Sequence, residues 1–90
     1  MKYEKSPSSY LFQDNDVEIM EGRFEGVTIT IAVSSDWVSV YEIHSSNPGH
    51  GEATRALEEL KRDYPGKEIF SSIPLNDVAR HIFEKAGIPF

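Results

Sequence analysis

The groups best suited to chemistry in this chain gather in one stretch. Residues 43–54 read Ile-His-Ser-Ser-Asn-Pro-Gly-His-Gly-Glu-Ala-Thr. The stretch joins an apolar, β-branched run to a segment of helical periodicity. It is therefore a strand end, a loop and a helix start. Such a place suits an anion, because the first helical N–H groups have no intrahelical partner and the macrodipole is positive there. Gly49 and Gly51 permit positive φ and a close backbone approach. Ala53 and Thr54 are small and keep the approach open. Glycine is also common in a plain strand-to-helix turn, so the glycines alone leave both readings open. His44, His50 and His81 lack the spacing of metal ligands, and no metal is expected. Ser71 and Ser72 sit in no nucleophile elbow.

The elements that must hold this stretch follow from periodicity. Val17, Ile19 and Phe24 alternate with acids, and Gly22 and Gly26 punctuate. Residues 27–33, Val-Thr-Ile-Thr-Ile-Ala-Val, are the clearest strand. Ser34-Ser35-Asp36 is a turn, and residues 37–43 form a second strong strand, apolar on both faces apart from Ser39 and Glu42. That strand is expected at the centre of the sheet, covered on both sides. On it, Glu42 is expected to face away from Trp37 and Ile43. Ala53, Ala56, Leu57, Leu60 and Tyr64 share one face of a helix that Pro65-Gly66 stops. Residues 68–72 read as a short strand, parallel to the one ending at Ile43. Asn76 then caps a second helix, with Gly87 as its C′ residue.

The expected fold class is α+β: an antiparallel β-meander followed by helix-strand-helix (βββαβα) on a mixed sheet. Residues 1–16 read as a polar N-terminal tail, in which Tyr10, Leu11 and Phe12 are able to add a short strand or dock on the body. Residues 17–90 form the domain.

With 90 residues, the chain is one domain with a modest core, burying about 60% of its unfolded surface. A net charge of −6 argues against general nucleic-acid binding and is compatible with a basic partner such as an amine. No cysteine is present, so disulfides, thiolate metal sites and a cysteine nucleophile are excluded. No apolar run approaches the roughly 18 residues needed to span a bilayer, and the first residues do not form a secretory signal. A cytoplasmic location is the expectation.

The spacing within residues 43–54 resembles the signature loop of GNAT-superfamily N-acetyltransferases, V-x-P-x-x-[RQ]-G-x-G-x-[GA]. Ile43 falls on its apolar strand residue, Gly49 and Gly51 on its glycines, and Ala53 on its final small residue. Thr54 takes the following hydroxyl place and Ala56-Leu57 the leucine pair. Asn76, Ala79 and Gly87 match a second signature, N-x-x-A-x-x-x-Y-x-x-x-G-F. The resemblance implies a small, truncated GNAT-like fold that binds acetyl-CoA and transfers an acyl group to a primary amine. It further implies that Ile43 and Ser45 contact pantetheine by backbone, and that Gly49, His50, Gly51, Ala53 and Thr54 hold the phosphates. Asn76 would bond to the lower arm, or act as a plain N-cap. Arg55, Lys61 and Arg62 would reach the adenosine 3′-phosphate, or form a solvated face.

The chain departs from the family's pattern at four places. Pro48 stands where the family has Arg or Gln, and supplies neither N–H nor charge. Glu52 follows the loop closely, where its charge opposes a pyrophosphate. Phe83 stands at the tyrosine that reprotonates the leaving thiolate in many members, and donates no proton. Trp37 stands where several members carry a glutamate base. No dedicated catalytic residue is therefore legible, and His50, Asp36 and Glu42 are the candidates. The alternative is a catalytically degenerate member that acts as a binding or interaction module. A trimmed sheet edge also invites completion by a second copy, as a homodimer.

Overall fold

The computed structural model describes residues 1–6, 17–46, 49, 51–73 and 76–90. Its strands are β1 (Lys2–Lys5), β2 (Glu18–Phe24), β3 (Val27–Val33), β4 (Trp37–Ser45) and β5 (Glu68–Ser71). Helix α1 (Glu52–Asp63) lies between β4 and β5, and α2 (Asp77–Ala86) follows β5. The five strands form one mixed sheet in sequence order. The first three pairings are antiparallel and β4–β5 is parallel, as a helical crossover between them requires.

The alternation of β3 decides where the core forms. Val27, Ile29 and Ile31 point to one face, where they meet Val38 and Val40 of β4. Both helices pack on that face: α1 contributes Ala56, Leu57 and Leu60, and α2 contributes Phe83 and Ala86. Leu57, Leu60 and Phe83 are fully buried. Removing a side chain of this kind from a core costs about 2–5 kcal/mol, so these few residues carry much of the stability of so small a domain. On the opposite face Ala32 and Ser39 are buried as well, so β4 is covered on both sides near its start.

A β-bulge resets β4 half way along. Thr30 pairs with Glu42 but Ile31 pairs with Val40, so Tyr41 is the extra residue. Each face therefore changes parity at Tyr41. Ile43, paired with Ile29, packs against the helix-side core, while Glu42, paired with Thr30, turns to the helix-free face. Trp37 also lies on the helix-free face, where its ring meets that of Phe70 at 5.9 Å. The expected opposition of Glu42 to Trp37 is thus corrected, because unbroken alternation does not survive an inserted residue.

The polar tail expected at residues 1–16 includes a strand. β1 pairs with β2, setting Tyr3 opposite Gly22. Gly22 is mid-strand rather than a break. A Cβ there would lie 2.5 Å from the Met1 Sδ and 2.9 Å from a Tyr3 ring carbon, so the missing side chain is what lets β1 lie flat. The Tyr3 hydroxyl donates to Asp63 of α1 at 2.7 Å, and its ring packs edge-on against Tyr64. The N-terminal ammonium lies 3.5 Å from Asp63 and 3.9 Å from Glu59. Burial, with the Asp63 carboxylate beside it, pushes the Tyr3 phenol far above its ordinary value. Burial and Asp63 also raise Tyr64. Tyr10, Leu11 and Phe12 lie outside the described residues.

Among the described residues, no helix is long and apolar enough to cross a membrane.

Candidate functional site

β4 runs nine residues, but β5 pairs only with the first four, residues 37–40. The last bond between them runs from the Ser72 N–H to the Val40 carbonyl. Beyond that point no further pairing between the two is found among the described residues. On the side away from β3, residues 41–45 of β4 have no strand beside them among the described residues. The bulge at Tyr41 sits where the opening begins.

The opening leads into a groove. Its inner part, about 170 Å³, is lined by Ile43, Ser45 and Ala53 on one side and by Asn76, Ala79 and Phe83 on the other. The outer part is larger, about 620 Å³, and lies between the start of α1 and the outer face of α2. Gly49, Gly51, Glu52 and Ala53 form one wall of it, and Asp77, His81 and Lys85 the other. Ser45, Ala53, Val78 and Ile82 line both parts, so the two are continuous. The outer volume falls in the range of small-molecule sites, and an apolar interior with a few polar groups at its rim is their usual make-up.

The two helix starts that flank the groove are built differently. Asn76 caps α2, its side-chain oxygen accepting from the Ala79 N–H at 2.8 Å. The α1 cap is Gly51, at φ 76, with no side-chain cap bond. Gly49 is also left-handed, at φ 91, and a Cβ there would meet nothing within 4 Å. These glycines thus meet a conformational need; a Cβ at Gly51 would lie 3.5 Å from the Arg55 guanidinium.

Six of the eight sequence-expected contact residues line the groove: Ile43, Ser45, Gly49, Gly51, Ala53 and Asn76. Thr54 lies in the first turn of α1 but is not among the groove walls. His50 and Pro48 lie outside the described residues. Of the other catalytic candidates, Glu42 is exposed on the helix-free face beside the bulge. Asp36 is in the turn before β4, its backbone N–H bonded to the Ser34 hydroxyl. That turn is at the far end of the strand from Ser45, so Asp36 is not brought to the groove. Sequence reasoning missed Val78, His81, Ile82 and Lys85 as groove residues. Their i, i+4 spacing was visible, but which face of α2 borders a groove is fixed only by how α2 docks.

The charges are mixed. Glu52 and Asp77 bring carboxylates to the groove and Lys85 brings an ammonium. Arg55, on the first turns of α1, is held by Glu25 at 3.1 Å. Arg62 pairs with Glu59, and Lys61 donates to the Ala86 carbonyl at the opposite end of the helices. Arg62 and Lys61 are exposed and line neither part of the groove, in keeping with the solvated-face alternative. Among the described residues, no group of three or more histidines and acids is placed to hold a metal ion. Comparison with known proteins gives no match: no family model, no curated protein and no solved structure matches this chain.

Proposed function

We propose that the protein binds an acyl-coenzyme A along the open edge of β4 and passes its acyl group to a primary amine, on a reduced form of the acetyltransferase fold its sequence resembles. The observation that carries this reading is the parting of β4 from β5 after Val40, directly beside the apolar groove. Pantetheine is an extended chain with two amides. A strand edge offers it N–H and C=O groups at the right repeat, in the way an added strand is recognised. Ile43, Ala79, Ile82 and Phe83 give its methylenes an apolar wall. The layout of meander, crossover helix, parallel strand and final helix is broadly compatible with the resemblance, with β1 as an added edge.

In the transfer, the amine nitrogen attacks the thioester carbonyl. A C–N bond forms, the C–S bond breaks, and the proton lost by the amine ends on the leaving thiolate. The chain's contribution is chiefly proximity, with backbone N–H groups of the bulged strand turned toward the carbonyl oxygen. Glu42, which the bulge turns to the helix-free face, is the carboxylate best placed to receive the proton of an amine arriving from that side. Phe83 is fully buried and donates no proton, so turnover is slow.

A second reading is favoured by one specific observation. Glu52 and Asp77 both line the groove and oppose a pyrophosphate, which suits a binding module that has lost catalysis. Calorimetric titration with acetyl-CoA tests binding, and a thiol-release assay against a panel of primary amines separates the two readings. Binding with slow thiol release supports transfer. Binding without release for any amine supports the module. No heat of binding at millimolar acetyl-CoA removes both.

A further inference from the structure

The groove is polar in a direction. Its inner end, at Ile43, Ala79 and Phe83, is apolar. Along the outer wall, Asp77, His81 and Lys85 occupy positions i, i+4 and i+8 of α2, one above another on a single helix face. They span about 12 Å of the helix. The carboxylate stands at the end near Asn76, where β4 and β5 part, and the ammonium at the other. A ligand lying in the groove is therefore favoured with its anionic end toward Lys85 and its neutral end toward the open strand edge.

Several of the other cationic side chains are engaged in contacts of their own. The ion pairs among the described residues use the N-terminus, Arg23, Arg55 and Arg62, and no lysine. Lys61 donates to the Ala86 carbonyl and Lys67 to the Ser34 carbonyl. Arg55 is the nearest guanidinium to the glycine loop, and Glu25 holds it. Lys85 is the ammonium that faces the groove, and no carboxylate of the described residues lies within ion-pair distance of it. His81, one turn before it, adds ring nitrogens to the same wall.

Resting on the acyl-coenzyme A reading, we infer that Lys85, with His81 beside it, holds the phosphate end of the ligand from α2. It thereby adds from α2 the positive charge that Pro48 does not supply at the place of an arginine, beside an Arg55 that Glu25 holds. The charge comes from the helix opposite the loop, and Glu52 and Asp77 set how far the pair must offset repulsion. The donor's phosphates are then bound between a glycine-rich backbone on one wall and the Lys85 ammonium on the other.

The test compares acetyl-CoA with S-acetylpantetheine, which has the thioester arm but no phosphate, by calorimetry on the whole chain. Wild type is expected to bind acetyl-CoA more tightly than S-acetylpantetheine. Lys85→Met is expected to weaken acetyl-CoA binding about fivefold, the size of one exposed charge contact, and to leave S-acetylpantetheine unchanged. Asp77→Asn is expected to strengthen acetyl-CoA binding, and Lys67→Met, outside the groove, to change neither. Unchanged acetyl-CoA binding in Lys85→Met overturns the inference and leaves the groove reading intact. Equal weakening of both ligands also overturns it, since Lys85 would then act through the fold. Binding of neither ligand to wild type overturns the groove reading and this inference together.

Discussion

The two ends of the helix layer are built on opposite terms. At the end where α1 and α2 finish, polar groups tie separate elements to one another. The Tyr3 hydroxyl and the N-terminal ammonium reach Asp63, Lys61 reaches the Ala86 carbonyl, and Lys67 reaches the Ser34 carbonyl. At the end where the helices begin, strands separate, α1 has a glycine cap without a side-chain bond, and Val78 is 70% exposed. One end is closed for stability and the other is left open. The difference teaches where a ligand has room. Surface left unfilled beside an open strand edge is affordable only because the far end carries the fold.

The sharpest way to break this contrast is to truncate one aliphatic side chain at each end. Leu60→Ala, in the closed core, is expected to cost about 2–5 kcal/mol. Val78→Ala, on the rim of the groove, is expected to cost under about 0.5 kcal/mol. Urea denaturation measures both, and equal losses would show that the groove end is packed as tightly as the other. Next in size is Gly22→Val, which puts a side chain where Met1 and Tyr3 already lie. It is expected to cost about 1–3 kcal/mol, with β1 lifting from the sheet. Protease cleavage near the N-terminus would report the lifting, and an unchanged midpoint with no new cleavage would contradict it.

Asn76→Ala removes the cap of α2 and is expected to cost about 1 kcal/mol. It sharpens the comparison, because it separates capping from ligand contact at one residue. If Asn76 only caps, stability falls and acetyl-CoA affinity per folded molecule stays the same. The smallest effect is expected at alkaline pH. The folded-state pKa of Tyr3 is raised, so folded protein keeps a proton that unfolded chain gives up near pH 10. Its contribution is complete below that pH and is lost as pH rises above it, with Tyr64 acting in the same direction. Tyr3→Phe, which also loses the bond to Asp63, is expected to flatten this alkaline loss in thermal melts. A melt profile of unchanged slope would contradict it.

Much of the architecture was legible because local signals agreed. The β-branched alternation of residues 27–33, the Pro65-Gly66 stop, and the Asn76 and Gly87 caps each name an element boundary that needs no tertiary information. The parallel pairing of β5 with β4 followed from the helix between them. β1 was not legible, since Lys2, Glu4 and Lys5 give four residues too few apolar positions to show a period. The bulge at Tyr41 was hidden for a related reason. Val38, Val40, Tyr41 and Ile43 fit either register until pairing with β3 decides between them. In the groove, the loop glycines and Asn76 announced themselves through spacing. His81 and Lys85 did not, because an exposed charge on a helix becomes a wall only when another element stands opposite.

The measurement that bears most directly on the open edge of β4 is amide hydrogen exchange, read residue by residue with NMR, on the protein with and without S-acetylpantetheine. If the thioester arm lies along that edge, residues 41–45 gain protection and shift together with Asn76 and Ala79, while β1 and the end of α1 at Asp63 are unchanged. If saturating ligand leaves the amides of residues 41–45 exchanging as before, the arm does not lie on that edge. The open end would then need another explanation.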